Sequence, residues 1–174
     1  ETSADRLMRL EAHHALWTTH FFRGELAAAL HHLDEGEPLY DPVKDRHSAL
    51  VYLHDAKAAA ISDRSLLLWS IGRIDQALEA SRQAVEYARG LGHPMSLAFT
   101  LANAGWLRLL RREPEACAAQ AETLIAYTTE QGVPFWMPHG LLLRGWALAE
   151  QGEIEQGIAD IEQGLAAMAA MGTD

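Results

Sequence analysis

Apolar residues recur at steps of three and four along most of the chain, and glycine or proline interrupts them at regular places. From Ala4 to Arg23, Leu7, Leu10, His14, Trp17 and Phe21 share one helical face. Gly24 stops that helix, and Leu26, Leu30 and Leu33 give the apolar face of a return helix after a very short turn. From Gly36 to His54 the pattern lapses, because Pro38 and Pro42 push the residues before them out of the helical region. A connection over 37–54 follows, with one helical turn predicted about Ser48 to Leu53; a loop of that length implies a task. Asp55 then suits an N-cap, its carboxylate accepting from the free amides of a helix over Ala56 to Ile71.

Gly72 and Arg73 turn the chain into a return helix over Asp75 to Arg89, and Gly90 through Pro94 stops it. A third hairpin runs from about Met95 to Arg111, turns at Arg112-Glu113, and restarts at Pro114, whose missing amide costs nothing at a first helical position. A fourth begins near Met137, turns at Gly152, and returns through Ile154, Ile158, Ile161, Leu165 and Met168. The prediction is an all-α single domain of four hairpins, about 4–36, 55–90, 94–131 and 136–171, with almost no strand signal.

These hairpins repeat. Gly92, Gly132 and Gly172 are 40 residues apart, as are Gly105-Trp106 and Gly145-Trp146, and a 40-residue period signifies stacked helical hairpins. In the second, third and fourth hairpins small residues stand seven before the turn and five after it: Ser65 and Ala77, Gly105 and Cys117, Gly145 and Gly157. Such pairs mark places where two helix backbones approach, and a larger side chain there would cost roughly 1–3 kcal/mol.

This pattern resembles the tetratricopeptide repeat; HEAT-like hairpins, which also have periods near 40, are the alternative, and the small-residue positions favour the former. The stretches Trp69 to Leu78, Gly90 to Ala98 and Leu39-Tyr40-Asp41-Pro42 are similar, more narrowly, to the C-terminal repeat region of large bacterial signalling ATPases, which often carry a class III adenylate/guanylate cyclase or a transcription-activator domain elsewhere. The resemblance implies a tetratricopeptide-like α-α superhelix, a right-handed solenoid, cut from a larger multidomain protein whose catalytic residues lie outside this chain. Arg112 in place of a turn glycine, Arg108 at a usually apolar position, and a period of 40 against about 34 are departures from the repeat.

Charge narrows the partners. With 24 acidic and 14 basic side chains, net −10, the chain lacks the basic stripe that phosphate backbones require, so no nucleic acid is expected. No apolar stretch reaches the 18 residues of a membrane span, and no signal peptide is visible. Cys117, the single cysteine, reads as a small buried residue in a reduced, cytoplasmic compartment.

Chemistry is sparse. There is no phosphate loop, no His-Glu-x-x-His and no Gly-x-Ser-x-Gly, so neither catalysis nor a cofactor is expected. Histidines offer the one opening for a metal: a first hairpin could bring His20 near His31, with Asp34 or Glu35 as a further ligand, although surface histidines are the simpler reading and no metal is expected. Glu79, Glu86, Glu122, Glu130, Glu153, Glu155, Asp160 and Glu162 read as a solvated outer face.

In a tetratricopeptide stack the first helix of each hairpin lines the inner surface. That resemblance places His14, Thr18, Phe21, Asp63, Trp69, Asn103, Trp106, His139, Leu143 and Trp146 on a candidate groove for a protein or peptide segment or a small effector. The same rings could instead fill the core. The expectation is a non-catalytic binding module, a sensory or scaffolding region of a signalling NTPase or cyclase. The alternative is a self-association module, a homodimer formed through a stripe of Gly157, Gly164, Met168 and Met171 on the last helix.

Overall fold

Each hairpin turn is closed by the same three backbone hydrogen bonds, and that local geometry sets the architecture. A computed structural model describes residues 3–45 and 49–172. In it Arg73 N–H reaches Leu68 O at 2.8 Å while Gly72 N–H reaches Trp69 O at 2.9 Å, the two bonds of a Schellman ending. Glu25 and Gly24, Glu113 and Arg112, and Glu153 and Gly152 make the corresponding pairs in the other three hairpins. Such an ending needs a left-handed residue, which Gly24, Gly72 and Gly152 supply at φ 74, 80 and 95°; Arg112 adopts φ 55° in the same role.

The described residues form nine α-helices and no strand: α1 (Ser3–Phe22), α2 (Leu26–Gly36), α3 (Ala49–Tyr52), α4 (Ala56–Ser70), α5 (Ile74–Leu91), α6 (Pro94–Leu110), α7 (Pro114–Gln131), α8 (Met137–Glu150) and α9 (Ile154–Ala170). The fold is all-α. Among the described residues no helix is long and apolar enough to cross a membrane. The expected helix ends hold to within about two residues, except that α2 runs on to Gly36 and a 3₁₀ turn, Pro134–Trp136, precedes α8. The helical turn predicted at Ser48 to Leu53 corresponds to α3, its first residue lying outside the described set.

The chain divides into two units, Glu1–Ser96 and Leu97–Asp174, the division falling inside α6. In the first, Leu10 and Trp17 of α1, Ala29 and Leu33 of α2, and Ala56, Ala60 and Leu67 of α4 form one buried cluster. Trp17 occupies the place that a small residue holds in the other hairpins, seven before the turn. Gly36 makes room for it: a Cβ there would lie 2.9 Å from the Trp17 ring and 2.8 Å from His13 Cβ.

The described first part of the connection, 37–45, is tied down rather than loose. Buried Asp45 receives both Arg6 guanidinium nitrogens at 2.7 and 2.6 Å, and Arg6 also bonds the Leu39 carbonyl. Tyr40 Oη donates to Asp55 Oδ2 at 2.6 Å, and Asp55 Oδ1 caps α4 by accepting from Ala58 N–H at 2.9 Å. Asp55 N–H donates in turn to Ser96 Oγ at 2.8 Å, and Ser96 Oγ lies 2.8 Å from His93 Nδ1. The Tyr-Asp-Pro and Gly-His-Pro stretches thus share one hydrogen-bonded clasp.

In the second unit, Cys117 and Ala121 of α7 pack with Leu143 and Ala147 of α8. Gly145 and Gly157 let α8 and α9 touch at the backbone: a Cβ on either would lie 2.5 Å from the other's carbonyl oxygen. Asp160 does not belong to a solvated acidic face. It is 2% exposed and accepts from Arg144 Nε at 2.6 Å, because its position on α9 faces α8. Glu79 and Glu86 do sit outside, bracketing exposed Arg82.

Candidate functional site

Two side-chain clusters gather the chemistry, one in each unit. In the second unit an aromatic run surrounds His139, one turn into α8. The Trp136 ring lies 4.9 Å from the His139 ring, and Trp106 of α6 meets the same imidazole edge-on at 6.2 Å. Phe99 of α6 and Phe135 flank Trp136 at 5.3 and 5.1 Å, and Phe135 is 42% exposed. The 3₁₀ turn Pro134–Trp136 is what presents two successive rings ahead of α8.

His139 Nδ1 is buried and has no hydrogen-bond partner among the described residues. Burial pushes the imidazole below its ordinary pKa, so it is neutral at pH 7.

The first unit holds a cluster of imidazoles and carboxylates. Glu11 and His14 stand one turn apart on α1, and Glu11 Oε2 lies 3.5 Å from both His14 Nδ1 and His54 Nε2. His14 Nε2 faces Asp63 Oδ2 of α4 at 3.9 Å, and Asp63 also accepts the Trp17 indole N–H at 2.9 Å. Stacking on Trp17 at 4.7 Å fixes the His14 ring plane. Burial would raise the Glu11 carboxyl, but the facing imidazoles outweigh it and bring the pKa down to about 2. Burial opposes charge on His54 as well, yet the Glu11 carboxylate outweighs it and holds the imidazole above its ordinary value.

Of the ten residues expected to line a groove, His14 and Asp63 meet in this cluster, and Trp106 and His139 meet in the other. Leu143 does not line a surface: it is 0% exposed, because its side chain fills the core against Gly105, where a Cβ would lie 2.5 Å from Leu143 Cδ1. Asn103 is 8% exposed, and Trp146 packs on the α7 and α8 core. Phe21 rests partly buried on the first unit's core, and Trp69 is partly buried on α4. Thr18 Oγ1 is buried without a hydrogen-bond partner.

Sequence reasoning missed Phe99, Phe135, Trp136 and His54. For Phe135 and Trp136 a signal existed, two aromatics between Pro134 and Pro138; for His54 there was none, since a connection brings it to α1. The expected approach of His20 to His31 is replaced by a parallel stack of His20 on His32 at 5.3 Å, with His20 Nδ1 held 2.5 Å from Glu25 Oε2. The α2 face turned toward α1 carries His32, and His31 is exposed.

No family model matches the chain. It is similar, at 22% identity over 166 residues, to an uncharacterized protein of Rhizobium meliloti (strain 1021). The match covers 95% of this chain but 16% of the length of that protein.

Proposed function

We propose that this chain is a tetratricopeptide-like binding module with no catalysis of its own, the sensory or scaffolding part of a larger signalling NTPase or cyclase. The aromatic cluster around His139 is the surface that receives a protein segment. The observation that carries this reading is the partly exposed run of Phe135, Trp136, Trp106 and His139, with the buried Nδ1 unsatisfied. The repeated Schellman turns support the repeat assignment, and the Rhizobium meliloti relative supports a parent far longer than the match. A segment with one aromatic or aliphatic anchor beside a backbone carbonyl or amide would use both features of the cluster.

The test is selection of displayed random peptides on the purified chain and, in parallel, on its Trp136→Ala variant. Peptides enriched on the native chain and bound at least about 10-fold more weakly by the variant support the reading. Equal enrichment on both sinks it.

Self-association is the second reading, and a different stripe from the expected one favours it. Gly157 and Gly164 face α8, a Cβ on Gly164 lying 3.1 Å from Pro138 O, so they cannot form an uncovered face. Ile154, Ile158 and Leu165 do, at 58, 50 and 55% exposure. A molar mass that stays monomeric at every concentration excludes this second reading.

A further inference from the structure

The imidazole-carboxylate cluster of the first unit has no part in the peptide-binding role, and its polar atoms are poorly satisfied where they stand. Glu11 Oε1 and His54 Nε2 are both buried without a hydrogen-bond partner among the described residues. Leaving such atoms unpaired is costly, and a buried unsatisfied group in a native fold needs an explanation, a bound ion being one.

The tautomer of His54 points the same way. Its Nδ1 lies 2.8 Å from the Tyr52 carbonyl oxygen, which can only accept, so Nδ1 carries the hydrogen. In the neutral ring Nε2 is then a bare lone pair, and it faces the Glu11 carboxylate at 3.5 Å. Two acceptors turned toward each other need a positive charge between them, either a proton on Nε2 or a cation. On the other side of Glu11, His14 Nδ1 stands at the same 3.5 Å, and the three ligand atoms lie within 4.8 Å of one another.

We propose that Glu11, His14 and His54 form a binding site for one zinc-class divalent cation. Tetrahedral zinc with bonds near 2.0–2.1 Å holds its ligands about 3.3 Å apart, a few tenths of an ångström inside the two Glu11 spacings seen. Two imidazoles and one carboxylate are the ligand set of zinc and its neighbours in the first transition row, whereas calcium and magnesium take oxygens. The outer contact of His54 suits the assignment too. His54 Nδ1 gives its hydrogen to a backbone carbonyl, the arrangement that orients imidazole ligands in metal sites, while His14 Nε2 stands 3.9 Å from Asp63 Oδ2, beyond hydrogen-bond distance.

The ligands come from α1 and from the last residues before α4. A bound ion therefore fastens the end of the connection to the first hairpin, next to Leu53, whose φ of 62° is unusual for leucine. It gives the 37–54 connection a task that its proline-broken sequence does not disclose. Three protein ligands leave a fourth position for water.

The test is calorimetric titration of the untagged, chelator-stripped chain with Zn²⁺, joined by visible absorption with Co²⁺. The expected result is one ion per chain, intensified visible bands of four-coordinate cobalt, and a raised melting temperature. Glu11→Gln, which keeps the shape, and His54→Ala should each weaken binding at least about 10-fold. His32→Ala, altering the separate histidine stack of the first hairpin, should leave binding unchanged. No stoichiometric uptake would overturn the proposal and assign the cluster to a protonated His54 paired with Glu11. Binding that survives Glu11→Gln but disappears in His32→Ala would overturn it as well, placing the ion on the other histidines.

Discussion

Gly145 and Gly157 face each other so closely that a single methyl group decides whether α8 and α9 can pack. A Cβ on Gly145 would lie 2.5 Å from a backbone oxygen, which cannot move aside, whereas a Cβ on Gly105 would meet only the tip of the Leu143 side chain at 2.5 Å. Gly145→Ala should therefore destabilise by roughly 2–3 kcal/mol and Gly105→Ala by about half that. Equal shifts in urea unfolding would mean that the two glycines do not play these different parts.

His139 supplies a second prediction at this scale. Burial depresses its folded pKa below that of the unfolded chain, so the unfolded chain takes up the proton first as pH falls. Stability is unaffected above the unfolded value near 6.5 and declines as pH drops from there toward the folded pKa, by at most about 1.4 kcal/mol per pH unit for one proton. Burial depresses His93 in the same way, and burial with the neighbouring His13, His20 and His31 depresses His32. Their acid sensitivity will remain when His139 is changed. His139→Gln should nonetheless melt with a shallower pH dependence than the native chain between about pH 7 and pH 5; an unaltered slope would show that its imidazole is not desolvated.

At the scale of elements, the third hairpin is the informative exception. Arg112 takes φ 55° where the other turns place glycine, and Arg108 and Arg111 reach Glu113 at 2.7 and 2.6 Å across the same turn. In the first hairpin His20 and Arg23 hold Glu25 from matching positions, 2.5 and 2.9 Å away. Arg108, at a usually apolar position, is thus a turn clamp rather than a core residue. Left-handed backbone strains a non-glycine residue, so Arg112→Gly should stabilise the chain by about 1 kcal/mol. Its urea midpoint should rise with an unchanged slope; a lower midpoint would contradict the strain argument.

The helices and turns were legible because their signals are local: a glycine at the left-handed position of three of the four hairpin turns, a proline at N1 of α7, an aspartate capping α4. What depended on placement was not. Asp160 looks like any other charge of an amphipathic helix until α8 lies against it, and Leu143 reads as a groove residue until Gly105 receives it. The candidate sites were half legible for the same reason. The resemblance to a tetratricopeptide stack pointed to Trp106 and His139, but the 3₁₀ turn that adds Trp136, and the connection that carries His54 to α1, follow from tertiary contacts that no spacing encodes.

For the molecule as a whole, the net charge of −10 is the opposite of the basic footprint that phosphate backbones attract. The two units carry different chemistry. The first has its imidazoles and carboxylates between α1 and the connection; the second has its rings around His139. The five tryptophans make a built-in reporter of which cluster binds. Trp17 is fully buried with its indole held by Asp63, so it serves as the internal reference. The most direct measurement is the set of tryptophan indole N–H signals by NMR during titration with a selected peptide. The proposed function predicts that the Trp106 and Trp136 signals move together, saturably, while Trp17 stays in place. Binding that leaves both unmoved would contradict it.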